Sequence, residues 1–207
     1  GVERETGKAL WFLNDDSKTP DLMVDGRPAT YNHNNASQVI LGDVHPDLFG
    51  GINTNFDWKG LSIGLGFTYK IGGNTYDAFS KDVAEDGYYW ERIRSEYAFE
   101  HMWTENNTSG TLPKLDGNDL TDPQKYSSRQ LHDASFLRLK NINFGYRLPK
   151  TVLNKIGFSN ARVYFNGTNL FTASKYKIAD PEVGQYATRG WETPLGKTYT
   201  FGIELGF

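Results

Sequence analysis

Apolar and polar residues alternate along several stretches of this chain, the pattern of a β-strand whose two faces meet different surroundings. In LSIGLGFTYKI (61–71), the odd positions are apolar or aromatic and the even positions are Ser, Gly, Thr or Lys. The same period runs through INFGYRL (142–148) and KTYTFGIELGF (197–207). LFGGINTNFDW (48–58) follows it with Asn and Asp on its polar side. Each stretch therefore predicts a strand with one apolar and one polar face.

Two further strands are predicted from weaker patterns. ARVYFNGTNLF (161–171) alternates less clearly, so the sequence does not tell which of its faces is the apolar one. KALWFLN (8–14) is the sixth predicted strand. Between 48–58 and 61–71, the sequence DWKG predicts a tight hairpin turn.

The segment that leads into 142–148 is out of phase with it. In SFLRLK, Leu137 and Leu139 occupy odd positions, whereas the apolar residues of 142–148 occupy even ones. An extra residue in one strand reverses the facing of all residues that follow it. We therefore expect a bulge or a change of surroundings near Lys140.

The connections between the predicted strands alternate between short and long. DWKG is very short and PKTVLNKIGFS (149–159), which reads as a short amphipathic turn, is eleven residues long. The segments 15–46, 74–133 and 174–196 are much longer. Transmembrane barrels have short turns at one end and long loops at the other. Such loops are uncommon in compact soluble domains.

These patterns favour an all-β fold, specifically an antiparallel transmembrane β-barrel. Strands of nine to eleven residues, tilted, match the thickness of the hydrocarbon layer. About six strands are too few to close a barrel, because single-chain barrels begin at eight. The alternatives are a soluble carbohydrate-binding β-sandwich, in which a half-exposed sheet gives the same period, and a porin or barrel protease. A protease needs inward acidic or His groups, and the sequence presents none.

Composition narrows the choice of function. The 22 Lys and Arg residues nearly balance the 25 Asp and Glu residues, so a nucleic-acid surface is not expected. The absence of Cys excludes disulfides and Cys-ligated zinc. Mean hydropathy is −0.59 and no apolar run approaches the length of a transmembrane helix. No GxSxG motif, metal-ligand spacing or carboxylate pair suggests catalysis, so neither enzyme activity nor a cofactor is expected.

Three long blocks together resemble a known family. DASFLRLKNINFGYRLPK (133–150), ARVYFNGTNLFTASKYKIADPEV (161–183) and PLGKTYTFGIELGF (194–207) look like the carboxy-terminal signature of SusC/RagA-family TonB-dependent transporters. LGDVHPDLFGGINTNFDWKGLSIGLGFTYKIGGNTYD (41–77) resembles a strand–turn–strand segment of the same family. The blocks cover most of residues 41–207 and follow the family's order.

The resemblance implies a bacterial outer-membrane protein with a 22-stranded barrel and a plug domain inside it. It also implies a SusD-like surface lipoprotein partner, oligosaccharide or peptide cargo, and energy from the TonB complex. Residues 1–207 are then expected to be the carboxy-terminal part of such a barrel, without the plug and without the segment that contacts TonB. Outer-membrane lipid would surround the apolar faces.

The long segments carry the candidate contact residues. If the strand 197–207 ends in the periplasm, counting back along the chain places 15–46, 74–133 and 174–196 outside the cell. Aromatic rings stack on sugar rings, and Arg189 or Glu192 could bind hydroxyl groups or peptide termini; loop packing or interfacial anchoring is the alternative role of the aromatic residues. The candidates for cargo or partner contact are Tyr88, Tyr89, Trp90, Trp103, Tyr186, Arg189 and Trp191.

Two other features receive an interpretation from sequence. Phe207 resembles the carboxy-terminal aromatic signal for barrel assembly, and we expect it to serve insertion rather than transport. ADPEV (179–183) and LDGNDLTD (115–122) bring carboxylates together. A calcium site is conceivable there, but solvated turns are the favoured interpretation, because the second stretch lacks the EF-hand spacing.

Overall fold

The structure, a computed structural model, describes residues 1–15, 18–84, 92–117, 123–182 and 188–207. Within these residues the chain forms two compact units. Unit 1 comprises Gly1–Val44, Asn74–His132 and Val183–Glu192, and unit 2 comprises His45–Gly73, Asp133–Glu182 and Thr193–Phe207. The strands are β1 (Trp11–Phe12), β2 (Leu22–Val24), β3 (Arg27–Thr30), β4 (Leu48–Trp58), β5 (Leu61–Ile71), β6 (Asn74–Asp77), β7 (Leu131–Asp133), β8 (Phe136–Arg147), β9 (Asn160–Ser174), β10 (Thr188–Arg189) and β11 (Thr198–Gly206). The helices are α1 (Ser80–Val83), α2 (Glu96–His101) and α3 (Lys150–Ile156), with 3-10 turns at His33–Asn35 and Ser128–Gln130.

Unit 2 is built on a five-stranded antiparallel sheet in the order β11-β9-β8-β5-β4. The predicted hairpin between β4 and β5 is confirmed, with a two-residue loop of Lys59 and Gly60. Both loop residues have positive φ, 45° and 91°, as a type I′ turn requires. We call this end of the sheet the hairpin end, and the opposite end, where β5 and β9 finish, the long-loop end.

Register places the apolar residues of all five strands on one face. Phe56, Ile63, Phe144, Phe165 and Phe201 are successive cross-strand partners, from β4 through to β11. The pairing therefore assigns the odd positions of 161–167, whose facing the sequence left open, to the apolar face. Phe201 remains 78 % exposed and Ile203 69 % exposed. A sandwich would bury this face against a second sheet, whereas a membrane strand presents it to lipid.

The expected bulge lies at Lys140. The register of β8 shifts between Leu139 and Asn141, against both β5 and β9. Lys140 is thus the extra residue, and it restores Leu137 and Leu139 to the apolar face: Leu139 pairs with Phe67 on β5. The prediction from the phase change is confirmed.

The opposite face of the sheet is polar and lined by amides. One cross-strand row consists of Asn55, Gly64, Asn143, Asn166 and Thr200. A Cβ at Gly64 would lie 2.9 Å from the Asn55 Oδ1 atom, so the asparagine leans over the glycine. Neutral hydrogen-bonding groups of this kind suit a wet surface better than a packed core.

Helix α3 connects β8 to β9 at the hairpin end. Gly157, with φ of 78°, ends it in the left-handed conformation that terminates many helices. Leu153 is buried at 4 % exposure, whereas Val152 stays 41 % exposed. The predicted amphipathic turn is therefore present, with Leu153 as its buried residue; the side chain of Ile156 lies outside the described residues.

Unit 1 contains two small sheets, β1-β3-β2 and β10-β6-β7, and a cluster in which Ala98 of α2 packs with Ala84 and Leu112. The predicted strand 8–14 is wrong as a barrel strand. Only Trp11–Phe12 is a strand, and it pairs with β3 rather than with the large sheet. The segment is buried on both of its sides, since Ala9, Leu10, Trp11 and Leu13 are all in the core, so it lacks the polar face of a barrel strand.

Within the part of the chain that the structure describes, we find no helix of sufficient length and hydropathy to span a membrane.

Candidate functional site

The exposed indole of Trp191 is placed by a short parallel strand pair in unit 1. Strand β10 runs beside β6, with Thr188 opposite Tyr76 and Arg189 opposite Asp77. The residues that follow the two strands therefore lie side by side. The ring of Trp191 meets that of Phe79 edge to face, with centroids 4.7 Å apart. Trp191 remains 66 % exposed, so most of the indole is open to a ligand.

A buried carboxylate fixes the turn on which Phe79 lies. The Asp77 Oδ1 atom accepts hydrogen bonds from the backbone N–H groups of Phe79 and Ser80, each at 3.0 Å. The Ser80 hydroxyl donates to the Asp77 carbonyl at 2.8 Å. Such side-chain-to-backbone bonds hold a turn in one conformation. Phe79 therefore supports Trp191 from a rigid position.

His132 lies near this carboxylate on β7, the other neighbour of β6. Burial lowers the pKa of His132, and the charge of Asp77 opposes that change. The imidazole is accordingly neutral at neutral pH.

Cations border the aromatic rings. The Arg92 guanidinium lies 5.7 Å from the centroid of Trp191 and forms an ion pair with Asp82. Arg94 donates from Nη1 to the Asp82 carbonyl at 2.8 Å, and Ile93 between the two arginines is 88 % exposed. A guanidinium beside an indole is favourable and also attracts carboxylates.

A second aromatic pair lies on the same segment of the chain. Tyr76 and Tyr126 have ring centroids 5.6 Å apart, and Lys81 Nζ lies 5.3 Å from the centroid of Tyr126. His33 holds Tyr126 through its Nε2 atom, 3.1 Å from the Tyr126 carbonyl. We refer to the residues of both groups together as the aromatic surface: Tyr76, Phe79, Lys81, Arg92, Tyr126 and Trp191. Flat rings with nearby cations can stack on sugar rings or receive aromatic and acidic peptide side chains.

Sequence reasoning found only Trp191 of this surface. Phe79 and Tyr126 belong to the long segment 74–133, but nothing in their spacing relates them to one another. Phe79 meets Trp191 through the β10–β6 pairing, which is two residues long, and Tyr126 joins the surface by its contact with Tyr76 of β6. A pair of that length has no periodicity to detect.

Trp103 has a different environment within unit 1. Its indole Nε1–H donates to the Arg4 carbonyl at 2.8 Å. Its ring lies over Gly7, where a Cβ would come within 2.6 Å of the Trp103 Cδ2 atom. Lys114 N–H donates to the Gly7 carbonyl at 2.9 Å, so this tryptophan packs the amino-terminal segment onto residues 102–114. The geometry matches the loop-packing alternative for Trp103.

The remaining candidates have little described structure. Tyr88, Tyr89, Trp90 and Tyr186 lie outside the described residues. Arg189 has its backbone in β10, and its side chain is not described.

At the hairpin end of unit 2, Phe207 is 93 % exposed, with its ring centroid 5.1 Å from that of Phe158. Its assembly role stays a prediction.

The interpretation of 179–183 as a solvated turn is wrong for Asp180, whose side chain is 11 % exposed, whereas Glu182 is exposed. Asp180 forms an ion pair with Arg138, and Glu182 lies 3.2 Å from the Arg138 Nε atom. Lys140 Nζ is 3.3 Å from Glu182. Two strand cations thus neutralise these acids. Among the described residues no group of three or more His, Asp or Glu side chains is arranged to hold a metal, and 118–122 lies outside them.

No family model matches the chain. Curated proteins do match. The chain is 27% identical over 183 residues to the TonB-dependent receptor P3 of Formosa agariphila, covering 83% of the chain and 17% of that protein. It is 31% identical over 152 residues to the TonB-dependent receptor SusC of Bacteroides thetaiotaomicron, covering 69% of the chain and 15% of that protein. The chain therefore spans less than a fifth of these two relatives.

Solved structures agree with the sequence comparison. The structure of the RagAB peptide transporter aligns over 100% of the chain and 22% of its own, with a TM-score of 0.72 and 31% identity. The RagAB peptide importer in its open-open state gives a TM-score of 0.64 and 30% identity, again over 100% of the chain and 21% of its own. Sequence and fold together place the chain in the SusC/RagA-like group of TonB-dependent transporters, as a segment of such a protein.

Proposed function

We propose that this chain supplies wall strands and extracellular loops to a TonB-dependent importer of the bacterial outer membrane. The observation that carries the proposal is the apolar row from Phe56 to Phe201, which crosses all five strands and is exposed at Phe56, Phe144 and Phe201. A face of this kind on strands of nine to fifteen residues suits lipid, and the amide-lined face suits a lumen. The likeness to a peptide transporter over the whole chain supports the same conclusion.

In this proposal the cargo is an oligosaccharide or a peptide, and a SusD-like lipoprotein is the partner. One relative is named SusC and the similar solved structures are described as a peptide transporter and importer. The aromatic surface is compatible with either cargo, because Trp191 offers a ring face and Arg92 a positive charge. The chain is then the carboxy-terminal part of the barrel, with the plug and the TonB-contacting segment elsewhere in the protein.

The experiment uses the full-length transporter, expressed in a host with and without a working TonB complex. Uptake of two labelled probes is measured, a random-sequence oligopeptide pool and a pool of neutral oligosaccharides. We expect TonB-dependent uptake of one of them. Equal uptake with and without TonB would overturn the assignment as a TonB-dependent importer.

The aromatic surface is tested with the probe that is taken up. Trp191→Ala removes an exposed indole, and we expect the affinity for the probe to fall by about tenfold, the loss typical of one stacked ring. Trp58→Ala is the matched control, since it removes an indole of 58 % exposure at the hairpin end of unit 2. We expect unchanged probe affinity for this control. Unchanged affinity in Trp191→Ala would exclude Trp191 from the cargo site.

A further inference from the structure

Three exposed lysines lie at the hairpin end of unit 2 without an acidic partner. Lys59 occupies the loop between β4 and β5, and Lys150 and Lys155 belong to α3. Among the residues that the structure describes, none of the three forms an ion pair. Their charges are therefore available to an anionic ligand.

A backbone hydrogen bond brings together the two connections that carry these lysines. The Arg147 N–H, at the end of β8, donates to the carbonyl of Gly60 in the β4–β5 loop at 2.8 Å. Helix α3 begins just after β8, at Lys150. The hairpin loop and α3 are therefore neighbouring connections at the same end of the sheet.

Aromatic residues with a polar atom border the apolar face at this end. Trp58 and Tyr146 are both cross-strand partners of Leu61, so they flank β5 in one row of that face. Trp58 is 58 % exposed and Tyr146 is 37 % exposed. Side chains of these two types concentrate where the hydrocarbon of a membrane meets the headgroups. The hairpin end therefore has the residue types of a membrane boundary.

Two of the lysines accompany exposed apolar side chains. The Lys59 Nζ atom lies 5.0 Å from the ring centroid of Trp58, so this charge is held beside the apolar face. On α3, Val152 is 41 % exposed, and Lys155 follows it by about one helical turn on the same side of the helix. A lysine in such a position lays its apolar stem on the hydrophobic surface and extends its ammonium group to a more polar level.

We propose that Lys59, Lys150 and Lys155 form a basic surface that binds the headgroups of anionic phospholipids where the barrel wall leaves the membrane. The lipid phosphate is the anion expected at that level, because the apolar residues beside the lysines would contact the acyl chains of the same lipids. Each lysine near an anionic membrane surface strengthens the attraction, and salt weakens it. The inference rests on the lipid-facing assignment made in the proposed function.

Arg147 provides a matched contrast at the same end of the sheet. It is exposed, and it pairs with Arg162 in a cross-strand row of the polar face. In the proposed function that face lines the lumen, so lipid headgroups outside the wall are not the expected ligands of Arg147. Lys59→Gln and Arg147→Gln each remove one charge from the hairpin end, the first beside the apolar face and the second on the polar face.

The test places a photoreactive benzophenone amino acid at position 152 or position 201 of the full-length transporter, reconstituted in bilayers of phosphatidylcholine and phosphatidylglycerol in equal amounts. Position 152 reports on the basic surface, and position 201 reports on the apolar row. The lipids that become cross-linked are identified by mass spectrometry. We expect at least about a fivefold preference for phosphatidylglycerol at position 152, the effect of one well-placed lysine, and no preference at position 201.

Charge variants and salt show whether the lysines cause this preference. Replacing Lys59, Lys150 and Lys155 together by Gln should abolish the preference at position 152, and high salt should reduce it. Lys59→Gln should lower it in part, and Arg147→Gln should leave it unchanged. All four residues are exposed, so we expect these variants to assemble normally.

The outcomes separate the basic surface from the proposed function. Lipid adducts at both positions, without a headgroup preference at position 152, would overturn the basic surface and leave the lipid-facing assignment intact. Equal losses of preference in Lys59→Gln and Arg147→Gln would also overturn it, because the face of the sheet would then make no difference. The absence of lipid adducts at position 201 would contradict the lipid-facing assignment, and the inference with it. In cells, a protein adduct instead of a lipid adduct at position 152 would overturn the lipid ligand in favour of a protein partner.

Discussion

Ser135 joins three strands of the large sheet at its long-loop end. Its hydroxyl oxygen accepts the Gly72 N–H at 3.0 Å, just after β5. Its carbonyl accepts the Ser174 hydroxyl at 2.8 Å, at the end of β9. Its own N–H donates to the Asp133 Oδ1 atom at 2.9 Å, just before β8. One small residue therefore fixes where β8 begins relative to both of its neighbours.

The carboxylate of this group makes the arrangement sensitive to acid. Hydrogen bonds from the Ser135 hydroxyl and amide lower the pKa of Asp133 from its ordinary value of 3.8, and Lys175 Nζ, 3.4 Å away, adds to the effect against opposition from burial. A lowered pKa in the folded state means that the ionised form stabilises the fold. This contribution is fully present above the unfolded value of 3.8 and is lost as the pH falls through the lower folded value.

We expect amide exchange protection at Ser135, in the full-length protein, to be constant above about pH 5 and to decline below about pH 3.8. The measurement is the exchange rate at Ser135, divided by its intrinsic rate at each pH. In Asp133→Asn, which cannot ionise, the protection should not depend on pH over this range. Protection in the unmodified protein that stays flat down to about pH 2.5 would contradict the assigned role of the carboxylate.

At the scale of single residues, the sequence identifies candidate residue types but not the contacts that each side chain makes. Trp191 and Trp103 were both candidates because they are tryptophans in long segments. In the structure one ring is largely exposed beside Phe79, and the other packs over Gly7 and donates to Arg4. These partners are distant in sequence, so no local pattern distinguishes the two tryptophans.

Strand β8 keeps its apolar residues on one face only because it contains a bulge. Leu137 and Leu139 are odd-numbered, and Phe144 and Tyr146 are even-numbered, yet all four are paired into the same face. Lys140, the extra residue, makes the two parities compatible. Strand β9 is also irregular beside this bulge, where Asn169 has φ of 54°. The bulge is therefore a requirement of this sequence in a two-faced sheet.

Deleting Lys140 should reverse the facing of the part of β8 that precedes it. Leu137 and Leu139 would then point to the polar face, and Arg138 to the apolar face, at a cost of roughly 2–4 kcal/mol for the lipid-facing cation alone. We expect the amount of assembled full-length protein to fall severely. Lys140→Ala, which keeps the bulge and loses only the contact with Glu182, should assemble almost normally. The assembled fraction is measured by protease resistance of the membrane-extracted protein, and equal assembly of the two variants would exclude the bulge as the cause.

Elements that face two different surroundings were the ones the sequence could predict. Strands β4 and β5 have the predicted bounds, 48–58 and 61–71, because alternation marks a sheet with an apolar and a polar side. The barrel strand predicted at 8–14 was wrong because most of these residues are buried, so the segment has no polar face. The facing of β9 was ambiguous because Tyr164 lies on the polar face, where its ring covers Gly202.

At the scale of the whole molecule, the fold class followed from alternation and loop lengths, whereas the candidate site did not. The sheet depends on periods that repeat over about ten residues, and these are visible in one sequence. The aromatic surface depends on β10 and β6, short strands from segments more than a hundred residues apart in sequence. The ion pair of Asp180 with Arg138 likewise joins residues that no periodic pattern relates. The candidate site therefore consists of contacts that only the folded structure brings together.

The assignment of the two sheet faces to lipid and lumen leads to the last prediction. Ile203 and Thr200 lie three residues apart on β11, Ile203 paired with Val163 on the apolar face and Thr200 paired with Asn166 on the polar face. A lysine on a lipid-facing strand position costs roughly 2–4 kcal/mol near the midplane, whereas a lumen position tolerates it. We expect Ile203→Lys to lower the assembled fraction of the full-length protein by at least about tenfold and Thr200→Lys to leave it nearly unchanged. Both variants add the same charge to the same strand, so a difference between them reports only the face. Equal effects of the two lysines would contradict the lipid-facing assignment. If the apolar face met water instead of lipid, a lysine at Ile203 would cost no more than a lysine at Thr200.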